Sequence, residues 1–265
     1  MSEAPVLEGG FEFPGQSFSV ARADQVRKLT CSGIDPAIYG DAVDVAMLGL
    51  PTLRVLMACG IPILGGVHLS QRFRQEQAFL LEEEITISGR ILEIAPHPRG
   101  CILKCAFEYA RRDGTVCVEA VRSGISPIGP KEPSNGIPRP SEELDGFGEI
   151  SRRTLVPEKV ADYSSEAGNL IHSDLDVARE HGFRAPIAAG LMGIHFYQEA
   201  LQQKYAPSAF DLEVWFRRPM FWDDTLSLVA REDGGYIAAM HLLTSEGKPA
   251  SNCVVHAVSD GTVNR

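Results

Sequence analysis

Hydrophobic and polar positions follow the same order of patterns twice along the chain. In the first half, an apolar helical run at 44–59 precedes four strand-like segments, and in the second half a helical run at 191–204 precedes four more. The predicted strands are 66–74, 85–94, 101–110 and 115–123 in the first half, and 210–218, 225–231, 236–243 and 250–258 in the second. The alternation at 85–88 and 226–229 places apolar side chains on one face of a strand.

The turns between the predicted strands favour antiparallel pairing. Segments 111–114 and 244–247 both combine an acidic residue with a glycine, which is the sequence signal of a β-hairpin. A long helix followed by an antiparallel meander can be buried against one concave face of the sheet. We therefore predict an α+β fold with two antiparallel sheets, each wrapping a central helix.

A segment rich in proline, glycine and serine separates the two halves. Residues 126–147 read SPIGPKEPSNGIPRPSEELDGF, a composition that continues neither a sheet nor a helix and is typical of a surface linker. We predict an N-terminal domain at 1–130, a linker at 131–148 and a C-terminal domain at 149–265.

Composition narrows the class of protein. With 265 residues, of which 44% are hydrophobic, the chain can bury a substantial core. A net charge of −10 and a pI near 5.2 argue against nucleic-acid binding, which needs a basic face. Six cysteines without the density of a disulfide scaffold indicate reduced, mostly buried thiols, and the first residues lack the pattern of a secretory leader, so we expect a cytoplasmic protein.

The apolar stretch at 45–67 could be mistaken for a membrane span. Pro51, Arg54 and Pro62 interrupt it, and a buried core helix satisfies the same pattern. We expect a core helix and no membrane partner.

Residues 163–192, YSSEAGNLIHSDLDVAREHGFRAPIAAGLM, carry the clearest candidate chemistry. His172 follows a small flexible loop and can exchange a proton near neutral pH. Ser173, with Asp176 three residues later, is the predicted N-cap of a short helix that Gly182 ends. A Pro-Ile-x-x-Gly-Leu turn then opens the next helix, where backbone N–H groups can stabilise an oxyanion.

This segment resembles the MaoC-like enoyl-CoA hydratase/dehydratase family, which carries Asn-Pro-Ile/Leu-His followed, after a short helix, by Pro-Ile-x-His-Gly-Leu/Met. The residues that carry the resemblance are Asn169, Ile171, His172, Asp174, Ala178, Phe183, Pro186, Ile187, Gly190 and Leu191. The resemblance implies a double hot dog, with a degenerate N-terminal half that shapes the acyl pocket. Two positions depart from the family pattern: Ala167 replaces an acidic residue and Ala189 replaces a histidine.

The resemblance implies a role for each residue around His172. His172 would be the principal acid/base group, and Glu166, one position before the missing acid, would supply the carboxylate, unless it is a solvated loop residue. Gly190, helped by Leu191, would donate to the developing oxyanion, unless the glycine serves only close packing. Asn169 would orient water or substrate, unless it only shapes an Asx turn.

Arginines are the candidate ligands for the phosphates of coenzyme A. Arg217 and Arg218 precede a proline at a predicted strand end, where the resembling family has a similar element, and Arg184 is a weaker candidate. Surface ion pairs are the alternative for all three. The sequence offers no zinc-ligand spacing, no glycine-rich phosphate loop and no Gly-x-Ser-x-Gly motif, so we expect no metal and no cofactor except coenzyme A as part of the substrate.

Three functions follow from these patterns. The first is reversible hydration of an enoyl-CoA to a 3-hydroxyacyl-CoA. The second is a hot-dog acyl-CoA thioesterase, for which Glu199 on the second helical run is the carboxylate to test. The third is a catalytically silent acyl-thioester-binding protein. Because two such units in one chain can pair edge to edge internally, we expect a monomeric pseudo-dimer or a homodimer.

Overall fold

The computed structural model describes residues 8–129, 131–134 and 136–259, which form ten β-strands and five α-helices. The strands are β1 Glu12–Phe18, β2 Val67–Gln75, β3 Ile85–His97, β4 Gly100–Ala110, β5 Val116–Ser126, β6 Gly148–Thr154, β7 Phe210–Phe216, β8 Thr225–Asp233, β9 Tyr236–Leu243 and β10 Pro249–Val258. The helices are α1 Arg22–Cys31, α2 Gly49–Ala58, α3 Pro157–Tyr163, α4 Leu175–Glu180 and α5 Gly190–Tyr205, with short 3₁₀ turns at Pro36–Tyr39, Val45–Leu48, Ser165–Ala167 and Leu170–His172.

All ten strands pair antiparallel in one continuous sheet, in the order β1-β3-β4-β5-β2-β7-β10-β9-β8-β6. The first five strands of this order all come from the first half of the chain, and the last five all come from the second half. The halves join through β2 and β7, in register from Ser70 opposite Trp215 to Gln75 opposite Phe210. Arg72 reinforces this junction by donating to Asp211 through Nε at 2.8 Å and Nη2 at 2.6 Å. The edge-to-edge pairing expected between two units is thus satisfied within one chain.

Each half wraps its sheet around one central helix. Helix α2 packs in the first half, where the Tyr109 hydroxyl on β4 donates to the Leu48 carbonyl at 2.5 Å just before the helix begins. Helix α5 fills the second half, and Met192, Ile194 and Phe196 along it are fully buried. Between the two helices, buried His195 of α5 contacts Asp44 through Nδ1 at 2.8 Å. This contact links the core of one half to that of the other.

The predicted α+β fold with a central helix in each half is confirmed, but the two predicted sheets are one continuous sheet, because β2 and β7 pair with each other. The eight meander strands lie within a few residues of their predicted bounds. The two outer strands of the sheet, β1 and β6, were not predicted, because both are mostly exposed and lack an apolar alternation. The described part of 127–147 contains no helix or strand beyond a single bridge at Lys131. The domain limits at 130 and 148 remain predictions, and residues 1–7 and 260–265 of the predicted domains lie outside the described residues.

The structure agrees with mostly buried thiols and with a core helix in the apolar run at 45–67. All six cysteines are free thiols, four of them buried: Cys101, Cys105, Cys117 and Cys253. Within the described residues, no helix is long and apolar enough to cross a membrane. The run at 45–67 forms instead a 3₁₀ turn, helix α2 and the loop into β2.

Candidate active site

A cavity of about 830 Å³ is bordered by residues of both halves. The second half contributes the loop from Tyr163 to His172, the start of α5 and the end of β7. The first half contributes one face of α2, with Leu50, Leu53 and Leu56, and the inner side of β5. All residues predicted for the chemistry itself, Glu166, Asn169, His172, Gly190 and Leu191, line this cavity.

His172 is fixed in one orientation at the cavity wall. It ends the 3₁₀ turn Leu170–His172, and its Nδ1 lies 2.7 Å from the Ile187 carbonyl, which can only accept. Nδ1 therefore carries the proton in the neutral ring, and Nε2 carries a free lone pair. Burial lowers the pKa of His172 below its usual value, and the hydrogen bond to Ile187 opposes this shift in part. The imidazole is thus a neutral base at pH 7.

The short helix after His172 is capped differently from the prediction. Asp174, and not Ser173, is the N-cap of α4, because its Oδ1 accepts from the amides of Asp176 at 2.9 Å and Val177 at 3.0 Å. Gly182 follows the last turn with φ +81, as predicted for a helix end. The cap fixes the chain immediately after the histidine.

The start of α5 presents free backbone donors to the cavity. The helix has sixteen residues, and neither Gly190 nor Leu191 donates its amide to an acceptor among the described residues. Its N-cap is Ala189, which has no side chain to cap these groups. The positive end of the helix dipole adds to the attraction for an anion.

Gly190 also meets a steric requirement. A Cβ at this position would lie 2.9 Å from Cε1 of Phe216, so the ring approaches the helix only because residue 190 is glycine. The Leu191 side chain packs in the same way over Gly49 at the start of α2. Gly190 therefore serves close packing, as its alternative interpretation predicts, and its amide is also placed to donate a hydrogen bond into the cavity.

Glu166 is the only carboxylate among the described residues that line the cavity. Both of its oxygens are engaged: Oε1 lies 2.6 Å from Nζ of Lys28, and Oε2 lies 3.2 Å from Nη2 of Arg27. Lys28 also donates to the Tyr163 carbonyl at 3.0 Å and lies over the Tyr163 ring. Burial lowers the pKa of Lys28, and the contact with Glu166 opposes that change. The carboxylate expected to replace the missing acid thus belongs to an ion-pair cluster with α1.

Asn169 forms the turn that its alternative interpretation predicts. Its Oδ1 accepts from the amide of Ile171 at 3.2 Å and so shapes the loop that carries His172. Its side chain also borders the cavity, so an interaction with substrate remains a prediction.

The three predicted phosphate-binding arginines are engaged in ion pairs. Arg217 and Arg218 both bind Glu142 of the linker segment, at 3.0 Å and 2.8 Å, and Arg217 also donates to Asn252 and to a backbone carbonyl. These two arginines line the cavity, but the pairs with Glu142 fasten the linker to the second half. Arg184 pairs with two aspartates at 223 and 224 and does not line the cavity. Contact of any of them with coenzyme A remains a prediction.

Comparisons with known proteins identify the fold. No protein-family model and no curated protein matches the chain. Among solved structures, HtdX from Mycobacterium tuberculosis is similar at a TM-score of 0.72 and 18% identity, covering 91% of this chain and 97% of that one. A MaoC-like dehydratase from Phytophthora capsici has a TM-score of 0.68 and 14% identity, covering 93% and 96%.

The chain has the double hot-dog fold of the MaoC-like dehydratases. The resemblance predicted from residues 163–192 is thereby confirmed at the level of the fold. An acyl-ACP thioesterase from Bacteroides thetaiotaomicron is also similar, with a TM-score of 0.61, 10% identity and coverage of 92% and 96%. The double hot dog alone therefore does not decide the reaction.

Five further basic or histidine side chains line the cavity and were not predicted from the sequence: Lys28, His68, Arg99, Arg122 and His181. Lys28, His68 and Arg122 lie on α1, β2 and β5, and most of their neighbours in the cavity are distant from them in sequence. Arg122 did carry a signal, since it continues the buried positions Val118 and Ala120 of β5 with the period of two that marks one face of a strand.

Proposed function

We propose that this protein reversibly hydrates a 2-enoyl thioester to a 3-hydroxyacyl thioester, with His172 as the acid/base group. The observation that carries the proposal is the arrangement around one cavity: a neutral imidazole with a free Nε2, and two amides at the start of α5 that have no acceptor in the described chain. The proposed reaction needs no cofactor besides the coenzyme A of the substrate.

In the hydration direction, Nε2 of His172 accepts a proton from water while the water oxygen bonds to the β-carbon of the enoyl group. The electrons of the carbon–carbon double bond move toward the thioester carbonyl, whose oxygen becomes negative. The amides of Gly190 and Leu191 stabilise that oxyanion. The imidazolium then returns its proton to the α-carbon, so that the sum of the steps is the addition of one water. Dehydration is the same sequence in reverse.

The proposal assigns both proton transfers to His172, because both oxygens of Glu166 are engaged by Lys28 and Arg27. Glu166 then supports the loop that precedes His172, and a direct contact with the attacking water is not required. This assignment differs from the acid/base pair that the family resemblance implies, and it follows from Ala167 in the acidic position.

The thioesterase alternative loses its candidate carboxylate. Glu199 is paired with Arg153, and neither residue lines the cavity. A silent binding protein is the stronger alternative, because Ala167 and Ala189 replace two polar residues of the family motif and Glu166 is engaged elsewhere.

The test is to incubate a panel of 2-enoyl-CoA esters with the purified protein and with His172→Asn, followed by chromatography with mass detection. A product heavier by one water, formed by the wild type and lost in the variant, supports hydration. Free coenzyme A would show thioesterase chemistry. Tight binding without any product would show a silent binding protein.

A further inference from the structure

Arg122 is a cation on the inner face of the first half. It lies on β5 opposite Cys105 of β4 and Gln71 of β2, on the face that carries the fully buried Ala120 and Val118. Inward positions of a hot-dog sheet pack against the central helix, so an arginine here is not part of the solvated surface. The side chain borders the same cavity as His172.

No carboxylate among the described residues pairs with Arg122, and its Nη1 is buried without a hydrogen-bond partner. Burial lowers the pKa of this guanidinium to about 10, so it stays charged at pH 7. The cations Lys28, Arg217 and Arg218 of the same cavity each have a carboxylate partner within 3.0 Å, and Arg99 is exposed to water. Arg122 is thus a half-buried charge with a buried Nη1 and without a counter-ion in the part of the chain that the structure describes, an arrangement that favours an anionic ligand.

His68 adds a second unsatisfied group beside Arg122. It lies on the neighbouring strand β2, its ring packs 4.5 Å from that of Phe216, and its Nε2 is buried without a partner among the described residues. Burial, together with the charge of Arg122, keeps the pKa of His68 well below its usual value, so the ring is neutral and can donate one N–H. Both side chains face the cavity that the leucines of α2 line.

The position of this pair relative to the proposed chemistry indicates which part of a substrate would reach it. His172 and Gly190 belong to the second half, whereas Arg122, His68 and the leucines of α2 belong to the first. With the thioester carbonyl at the start of α5, the acyl chain enters the first half of the cavity. A purely apolar chain would leave the charge of Arg122 without a partner there.

We propose that Arg122, assisted by His68, binds a carboxylate at the far end of the acyl chain, so that the substrate is the thioester of a dicarboxylic acid. The direction of the acyl chain rests on the proposed function, whereas the binding of a carboxylate at Arg122 does not require turnover. The guanidinium would bind the carboxylate in the bidentate geometry that arginine favours.

The experiment measures binding of saturated thioesters, which cannot be hydrated, by isothermal titration calorimetry. Each probe pair has equal chain length and differs in a terminal carboxylate: glutaryl- and pentanoyl-CoA, adipyl- and hexanoyl-CoA, suberyl- and octanoyl-CoA. The wild type should bind the carboxylate member of at least one pair about tenfold more tightly or better. Arg122→Met should abolish that preference, whereas the control Arg112→Met, at an exposed arginine outside the cavity, should keep it.

Other results overturn the proposal. Equal affinity of the wild type for both members of every pair would contradict it. This result needs no variant, so the proposal can be tested even if Arg122→Met does not fold. If Arg122→Met weakens the binding of both members of a pair equally, Arg122 binds a phosphate of coenzyme A and not the terminal carboxylate. In that case adipyl- and hexanoyl-pantetheine, which lack the nucleotide, would bind to the wild type with equal affinity. A carboxylate preference without hydration would uphold this inference and refute the proposed function, so the two can fail separately.

Discussion

The substitution His172→Asn separates the chemical role of the ring from its structural role. In the wild type, Nδ1 donates to the Ile187 carbonyl at 2.7 Å, while Nε2 faces the cavity with a free lone pair. An asparagine amide can replace the Nδ1 donor but offers no base in the place of Nε2. His172→Ala removes both functions, so the two variants together separate catalysis from loop stability.

The expected magnitudes follow from these contacts. Loss of a positioned general base lowers kcat by about 10²–10⁴-fold, which corresponds to about 3–5 kcal/mol of transition-state stabilisation. Loss of the hydrogen bond to Ile187 in His172→Ala lowers the free energy of unfolding by about 0.5–1.5 kcal/mol, whereas His172→Asn keeps most of it.

The assay combines rates of water addition to 2-enoyl-CoA esters with urea unfolding of both variants. We expect a large loss of kcat in both variants, little change of KM, and a loss of stability mainly in His172→Ala. A kcat of His172→Asn within about tenfold of the wild type would refute the role of Nε2, because general-base loss costs at least a hundredfold.

Three further predictions concern the same cavity. Because burial lowers the pKa of His172 below 6.5 and a protonated ring cannot accept a proton, kcat should fall with decreasing pH only below pH 6.5, as a pH–rate profile will show. Glu166→Gln leaves the buried ammonium of Lys28 without its charged partner, so urea unfolding should show a loss of about 1–3 kcal/mol, with kcat reduced less than in His172→Asn. Gly190→Ala places a Cβ 2.9 Å from Phe216, which should cost about 1–3 kcal/mol of stability and lower kcat.

Matched variants control these predictions. Glu246→Gln breaks an exposed pair with Lys248 and should leave the urea unfolding curve unchanged, because water screens that pair. Gly193→Ala, whose Cβ would lie 3.4 Å from the Met220 methyl group, should perturb α5 less than Gly190→Ala does. A fall of kcat that begins above pH 6.5 would contradict the role of His172 as a base. A kcat of Glu166→Gln as low as that of His172→Asn would contradict the supporting role of Glu166. Unchanged stability and kcat in Gly190→Ala would contradict the steric argument for Gly190.

The parts of the fold that the sequence predicted are apolar runs with clear ends. The strand Tyr236–Leu243 has its predicted bounds, and α5 begins and ends within one residue of its predicted run, because both are largely buried segments that glycine or proline residues flank. The edge strands Glu12–Phe18 and Gly148–Thr154 were missed because an edge strand with two exposed faces needs no apolar alternation.

The part of the candidate site that could be predicted is the part that comes from one short segment of the chain. His172 and Gly190 lie eighteen positions apart in a single motif, so their shared cavity could be expected from sequence. The state of Glu166 could not, because its partner Arg27 lies 139 positions earlier and no local pattern links them. No carboxylate among the described residues pairs with Arg122, and this could not be predicted either, because it depends on which residues the tertiary structure places around β5.

The most direct test of the proposed hydration is an approach to equilibrium from both sides. The protein is incubated separately with a 2-enoyl-CoA and with the corresponding 3-hydroxyacyl-CoA, using esters with and without a terminal carboxylate. If His172 catalyses hydration, both incubations reach the same ratio of the two thioesters, without release of coenzyme A and without conversion by His172→Asn. Two unchanged starting compounds at stoichiometric protein across this panel, or conversion that persists in His172→Asn, would contradict it.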